Sequence, residues 1–125
     1  MSDVTISETP TTYVDGFVCP VKAENRDAYL KSAQVTATLF KELGALAVVE
    51  NWGDDVPEGK LTSLPMAVKL EAGEVVVFSW VVWPSKEVRN TAWEKAQADP
   101  RMAEMDMPFD GKRLIYGGFQ TIFTA

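Results

Sequence analysis

Val75-Val76-Val77-Phe78-Ser79-Trp80-Val81-Val82 is the stretch on which the fold turns. A strand that shows one face to water alternates apolar with polar residues, and this one is apolar at both parities apart from Ser79. Its β-branched and aromatic residues, bounded by Glu71-Ala72-Gly73 and by Pro84-Ser85, mark a strand rather than a helix. It reads as the central strand, covered on both sides.

Working outward, Met66 to Leu70 and Glu74 to Trp83 flank the glycine-containing turn and predict a hairpin. Gly53 to Lys60, rich in Gly, Pro and acids, is a loop. Ala45 to Trp52 alternates as a strand. Before it, Tyr29, Ala33, Thr36, Leu39, Phe40 and Leu43 recur at helical spacing from Asn25 onward, with Gly44 as the stop. Tyr13 to Pro20 is the first strand and sets Tyr13, Asp15, Phe17 and Cys19 on one face. After the central strand, Ser85 is placed to cap a helix that buries Val88, Ala92, Trp93, Ala96 and Gln97. That helix ends before Asp99-Pro100, a helical turn follows over Arg101 to Met105, and Arg113 to Phe123 is the last strand.

The order β-α-β-(β)β-α-β predicts an α+β fold, the ferredoxin-like split βαβ with an antiparallel sheet. Two helices cover one face of such a sheet. The apolar second face predicts a homodimer by sheet-to-sheet packing, the alternative being a monomer whose loop 53–64 folds across it.

The chain has 125 residues, enough for one domain, expected over 12–125 after a flexible N-terminal tail, 1–11. No apolar run approaches a membrane span, and Met1 to Thr11 lacks the pattern of a secretory signal, so no membrane partner is expected. One cysteine, Cys19, excludes an intrachain disulfide and points to the reducing cytoplasm. A net charge of −6 disfavours nucleic acid. The absence of histidine removes Ser-His and Cys-His activation, imidazole zinc ligands and proximal-His haem ligation. Asp54, Asp55 and Glu58 lack EF-hand spacing, and neither a metal nor a cofactor is expected.

Separate motifs in one order carry a family likeness: Tyr13-Val14-Asp15-Gly16-Phe17, Glu50-Asn51-Trp52-Gly53-Asp54-Asp55-Val56-Pro57, Val77-Phe78-Ser79-Trp80, Pro84-Ser85-Lys86, Asp99-Pro100-Arg101, Met107-Pro108-Phe109-Asp110-Gly111-Lys112-Arg113 and Tyr116-Gly117-Gly118-Phe119. Over almost the whole chain after residue 12 the sequence resembles the DUF1428 family. The resemblance implies the dimeric α/β-barrel superfamily, in which two ferredoxin-like sheets pack face to face. It implies little about activity, because that superfamily holds haem-degrading and quinone-forming monooxygenases, chlorite-dismutase-like proteins and plain ligand binders.

Asp15 and Glu50 are charged residues within strands, where burial demands a partner. Either could serve as a general base if it faced a cavity, with Tyr116 or Trp80 orienting a substrate. Their ordinary reading is a structural bridge to a residue such as Arg113 or Lys69. Arg101 and Arg113 could grip an anion through forked donors, or simply form surface ion pairs. The aromatic residues, Trp80 among them, could line a pocket for a flat small molecule or fill the core. Gly117-Gly118 marks a bulge or a close approach. Cys19 reads as a small buried hydrophobe. The expected site therefore lies between sheet and helices, bounded by Asp15, Glu50, Trp80, Arg113 and Tyr116. Three functions stay open: a ligand-binding dimer, a cofactor-independent monooxygenase or isomerase acting on an activated aromatic, and an interaction module without a ligand.

Overall fold

The structure, a computed structural model, describes residues 10–125, so most of the tail expected over 1–11 lies outside the described residues. Its elements are β1 (Tyr13–Lys22), a 3₁₀ turn (Ala23–Asn25), α1 (Arg26–Glu42), β2 (Ala47–Trp52), α2 (Leu64–Ala67), β3 (Glu74–Trp83), α3 (Lys86–Gln97), α4 (Pro100–Ala103) and β4 (Ile115–Gln120). The strands form one antiparallel sheet in the order β2-β3-β1-β4, which is the ferredoxin-like arrangement.

Sequence sets the joints. Gly44, at φ 115°, closes α1 in a Schellman motif: its N–H donates to Lys41 O, and the Ala45 N–H donates to Phe40 O. The Ser85 hydroxyl accepts from the Val88 N–H at 3.2 Å and starts α3. Gly118 lies where a Cβ would run into the Tyr13 ring and its hydroxyl, so the glycine records a close approach within a regular ladder.

Two elements differ from expectation. Residues Met66 to Leu70 are not a strand; Leu64–Ala67 forms a single helical turn, capped by the Ser63 hydroxyl on the Met66 N–H with Pro65 in the first turn. A cap and an N-terminal proline outweigh a run of five residues with no clear period. The last strand stops at Gln120, and the predicted buried Gln97 is exposed.

The helix-side core has two parts. Leu39 and Phe40 of α1, Ala92 and Ala96 of α3, and Val81 and Trp83 of β3 form one; Cys19, Val21, Tyr29 and Val77 form the other. On the opposite face, Pro20 and Val76 are buried, whereas Phe78, Ile115 and Phe119 are 44%, 42% and 61% exposed. Val14, Val18, Val49, Trp80 and Val82 share that face, each half-buried. The central strand is thus apolar on both sides, and among the described residues the long helices α1 and α3 cover one of them.

Candidate functional site

Asp15 and Glu50 both point to the helix side of the sheet and meet different fates. Asp15, 2% exposed, accepts from Trp83 Nε1 at 2.9 Å and from Trp93 Nε1 at 2.9 Å, both at Oδ2. Arg89 of α3 grips the same carboxylate through Nη2 at 2.7 Å and Nε at 3.1 Å, and its guanidinium lies over the Tyr13 ring. These donors saturate the carboxylate and tie α3 to β1 and β3. The partner of Asp15 is Arg89 rather than Arg113 or Lys69.

Glu50 has no such clamp. Tyr29, on α1, donates its hydroxyl proton to Glu50 Oε1 at 2.6 Å. Ser79, the register partner of Glu50 on β3, supplies a hydroxyl to the same cluster. Among the described residues no Lys or Arg lies within ion-pair distance of it. Burial therefore pushes the Glu50 carboxyl above the usual carboxylate range, while hydrogen bonds from Tyr29 and Ser79 pull the other way. Burial, then the adjoining Glu50, raises the Tyr29 hydroxyl. The Cys19 thiol is pushed up to about 12, by burial first and by the Glu50 charge second, and stays protonated at neutral pH.

Glu50, Tyr29, Ser79 and Cys19 stand at one side of a cavity of about 250 Å³ between the helices and the sheet. Its walls are Phe17, Phe40, Trp93 and Phe109, with Met102, Met107, Val48, Val81 and Leu114. Phe40 and Trp93 rings lie 5.2 Å apart, Phe17 and Trp93 6.3 Å, and Tyr29 and Phe109 6.2 Å, so aromatic edges and faces enclose the space. A larger depression, about 350 Å³, is an open groove between the end of α1 and α3; it gathers Glu42, Glu87, Thr91 and Lys95 without a buried polar group.

Of the five residues expected to bound the site, Asp15, Glu50, Trp80, Arg113 and Tyr116, only Glu50 lines this cavity, joined by Trp93 and Phe109 from the aromatic residues that could line a pocket. Asp15 sits behind Trp93, whose indole both binds Asp15 and forms part of the wall. Trp80 belongs to the opposite face of the sheet. Tyr116, 74% exposed on the edge strand, stacks on Phe17 from outside. Arg101 is held at the surface by Asp99 and Glu42. Arg113 forms a paired contact with Glu74 at 2.8 and 2.7 Å and a further bond to Asp110, which lowers both carboxyls. The two arginines are not brought together on one anion. Tyr29, Cys19 and Ser79 were missed as site residues, although the alternation that places Glu50 inward also places Cys19 and Ser79 there. No three His, Cys, Asp or Glu side chains converge as a metal site among the described residues, and no helix there is long and apolar enough to cross a membrane.

Known proteins resemble this chain in both sequence and shape. It is 59% identical over 112 residues to the uncharacterized protein YbaA of Escherichia coli (strain K12), covering 88% of this chain and 96% of that one. The same identity and coverage relate it to YbaA of Shigella flexneri. Its shape matches a Bacillus cereus protein provisionally named an antibiotic biosynthesis monooxygenase, with a TM-score of 0.56, 10% identity and coverage of 92% of this chain and 97% of that one. At that identity the likeness concerns the fold alone. Residues 12–111 match the family described as Protein of unknown function (DUF1428), and the chain belongs to it.

Proposed function

We propose that the chain is a small-molecule-binding protein that works as a homodimer, with its ligand in the helix–sheet cavity. The observation that carries this reading is the pairing of an apolar, aromatic-walled space of about 250 Å³ with a single half-buried carboxyl group, that of Glu50. Binding sites combine such walls with a few polar groups that fix orientation, and Glu50, Tyr29 and Ser79 fill that role. The exposed apolar band of Phe78, Ile115 and Phe119 supports a second copy laid on the other face, since a surface of that kind is costly to leave in water. The domain spans 12–125, and its free buried thiol fits a cytoplasmic setting.

The test is thermal denaturation with a panel of single-ring metabolite-like compounds, because a ligand specific to the folded state raises the apparent melting temperature. A concentration-dependent rise that Glu50→Gln abolishes or reorders supports the reading. No rise across the panel at millimolar concentration defeats it.

A second reading has one specific observation behind it. Burial raises the Glu50 carboxyl above the usual carboxylate range, which makes its ionised form a stronger base, and the Bacillus cereus neighbour is named as a monooxygenase. On this reading Glu50 removes a proton from an activated aromatic, with Tyr29 fixing the carboxyl; Asp15 and Tyr116 are weaker choices because neither lines the cavity. Oxygen uptake on adding phenols or quinols, lost in Glu50→Gln, would establish it. A dimer with neither uptake nor ligand would leave an interaction module.

A further inference from the structure

The charge balance of the cavity narrows the ligand. Glu50 is the one carboxyl among its lining residues, and the lining includes no Lys or Arg. The other polar side chains of the lining are neutral: the Tyr29, Ser32 and Thr36 hydroxyls on α1, the Cys19 thiol on β1 and the Ser79 hydroxyl on β3. Arg26, one turn before Tyr29, lies over the Trp52 ring at 5.6 Å and forms no ion pair with Glu50. An ionised carboxylate in apolar surroundings is costly unless a positive group accompanies it. The walls supply the second half of a cation site, because the faces of Phe17, Phe40, Trp93 and Phe109 attract positive charge.

We propose that the cavity is built for a small lipophilic amine, bound as its ammonium with the charged nitrogen on Glu50 and its apolar group among the aromatic walls. This rests on the reading of the cavity as a ligand site and adds the class of ligand. At about 250 Å³ the space lies just below the usual range of roughly 300–1,000 Å³, so one ring and a short arm is the size that fits. An anionic ligand would place two negative charges together. A neutral phenol or alcohol would donate to Glu50 but leave the charge uncompensated.

Among the lining groups Glu50 is the one carboxyl, and burial moves its ionisation upward in pH, whereas Cys19 and Tyr29 are both raised and hold their protons. Amine affinity therefore rises with pH as the Glu50 carboxyl ionises, and falls again only when the amine loses its own proton.

The experiment is calorimetric titration of the full-length protein with 2-phenylethylamine, 2-phenylethanol and phenylacetate, which share a ring and differ in charge. The expected result is that the amine binds at least tenfold tighter than the alcohol, that phenylacetate binds weakest, and that amine affinity climbs from about pH 5 to about pH 8. Glu50→Gln is expected to erase the preference for the amine while keeping the alcohol; the wild-type pH profile decides the matter if that variant does not fold. Equal or tighter binding of 2-phenylethanol overturns the amine assignment but keeps the cavity as a ligand site. Binding of none of the three overturns both.

Discussion

Removing the Asp15 carboxylate offers a graded test of the packing that holds the cavity wall in place. In Asp15→Ala, the indole N–H of Trp83 is left inside a residue that is fully buried, at 0% exposure. An orphaned buried donor costs about 1–3 kcal/mol. Arg89 also loses its partner, but its side chain is 22% exposed and can turn to water, which discounts that loss to about 1 kcal/mol. With the Trp93 bond added, the expected loss is about 3–5 kcal/mol, the usual cost of breaking a buried charge pair from one side. Asp15→Asn behaves differently. Both indoles donate to the same oxygen, Oδ2, so the amide oxygen can serve both, while the new NH₂ faces Arg89 and expels it. That variant is expected to lose only about 1–2 kcal/mol. Urea unfolding followed by tryptophan fluorescence, at pH 7 and one protein concentration, measures both. If Asn proves as damaging as Ala, the charge on Arg89 rather than the anchoring of two tryptophans holds the network. If Ala costs under about 1 kcal/mol, the reasoning fails altogether.

Glu50→Gln keeps an acceptor for Tyr29 and removes a carboxyl whose folded value is raised by burial. A raised carboxyl holds its proton more tightly in the folded state, so its contribution favours folding in acid and is lost as pH climbs through the folded value. The variant is therefore expected to gain stability relative to the native chain on going from about pH 4 to pH 8, read as the difference between two urea curves; a difference that is flat with pH contradicts the burial argument. Cys19 is the next case. A shift from 9.0 to about 12 lowers the thiolate fraction by about a thousandfold at pH 8, so thiol-specific labelling should be negligible in the folded protein and prompt in urea. Fast labelling of the native protein would show that the thiol is reached. On the outer face, Phe78→Glu puts a charge where Phe78 is already 44% exposed in the single chain. Light scattering should give twice the 13.8 kDa chain mass for the native protein and the chain mass for the variant, with unchanged helix content by circular dichroism. A native monomer at micromolar concentration would remove the face-to-face arrangement.

The topology was legible because its signals are local. Alternation in Tyr13 to Pro20 and Ala45 to Trp52, the unbroken β-branched and aromatic run Val75 to Val82, the three- and four-residue spacing after Asn25, Gly44 and Ser85 each report a backbone state that neighbours in sequence decide. The helical turn at Leu64–Ala67 was hidden by a short apolar run that suits either state, although Ser63 and Pro65 carried the better signal. Site residues were harder because their partners are remote. Arg89 meets Asp15 across 74 positions, and Tyr29 meets Glu50 across 21, through packing that no spacing rule supplies. Trp80 is a different kind of miss. Strand parity already sets it opposite Ser79 and Val81, and therefore away from the cavity.

The most direct test is a methyl-resolved NMR titration with 2-phenylethylamine and 2-phenylethanol. Val48, Val81, Thr36 and Leu114 line the cavity, whereas Val14, Val18, Val49 and Val82 lie on the outer face of the sheet. Saturable shifts confined to the first group are the predicted result. Shifts confined to the second group, or none with either compound at millimolar concentration, would contradict the assignment of the cavity as the ligand site.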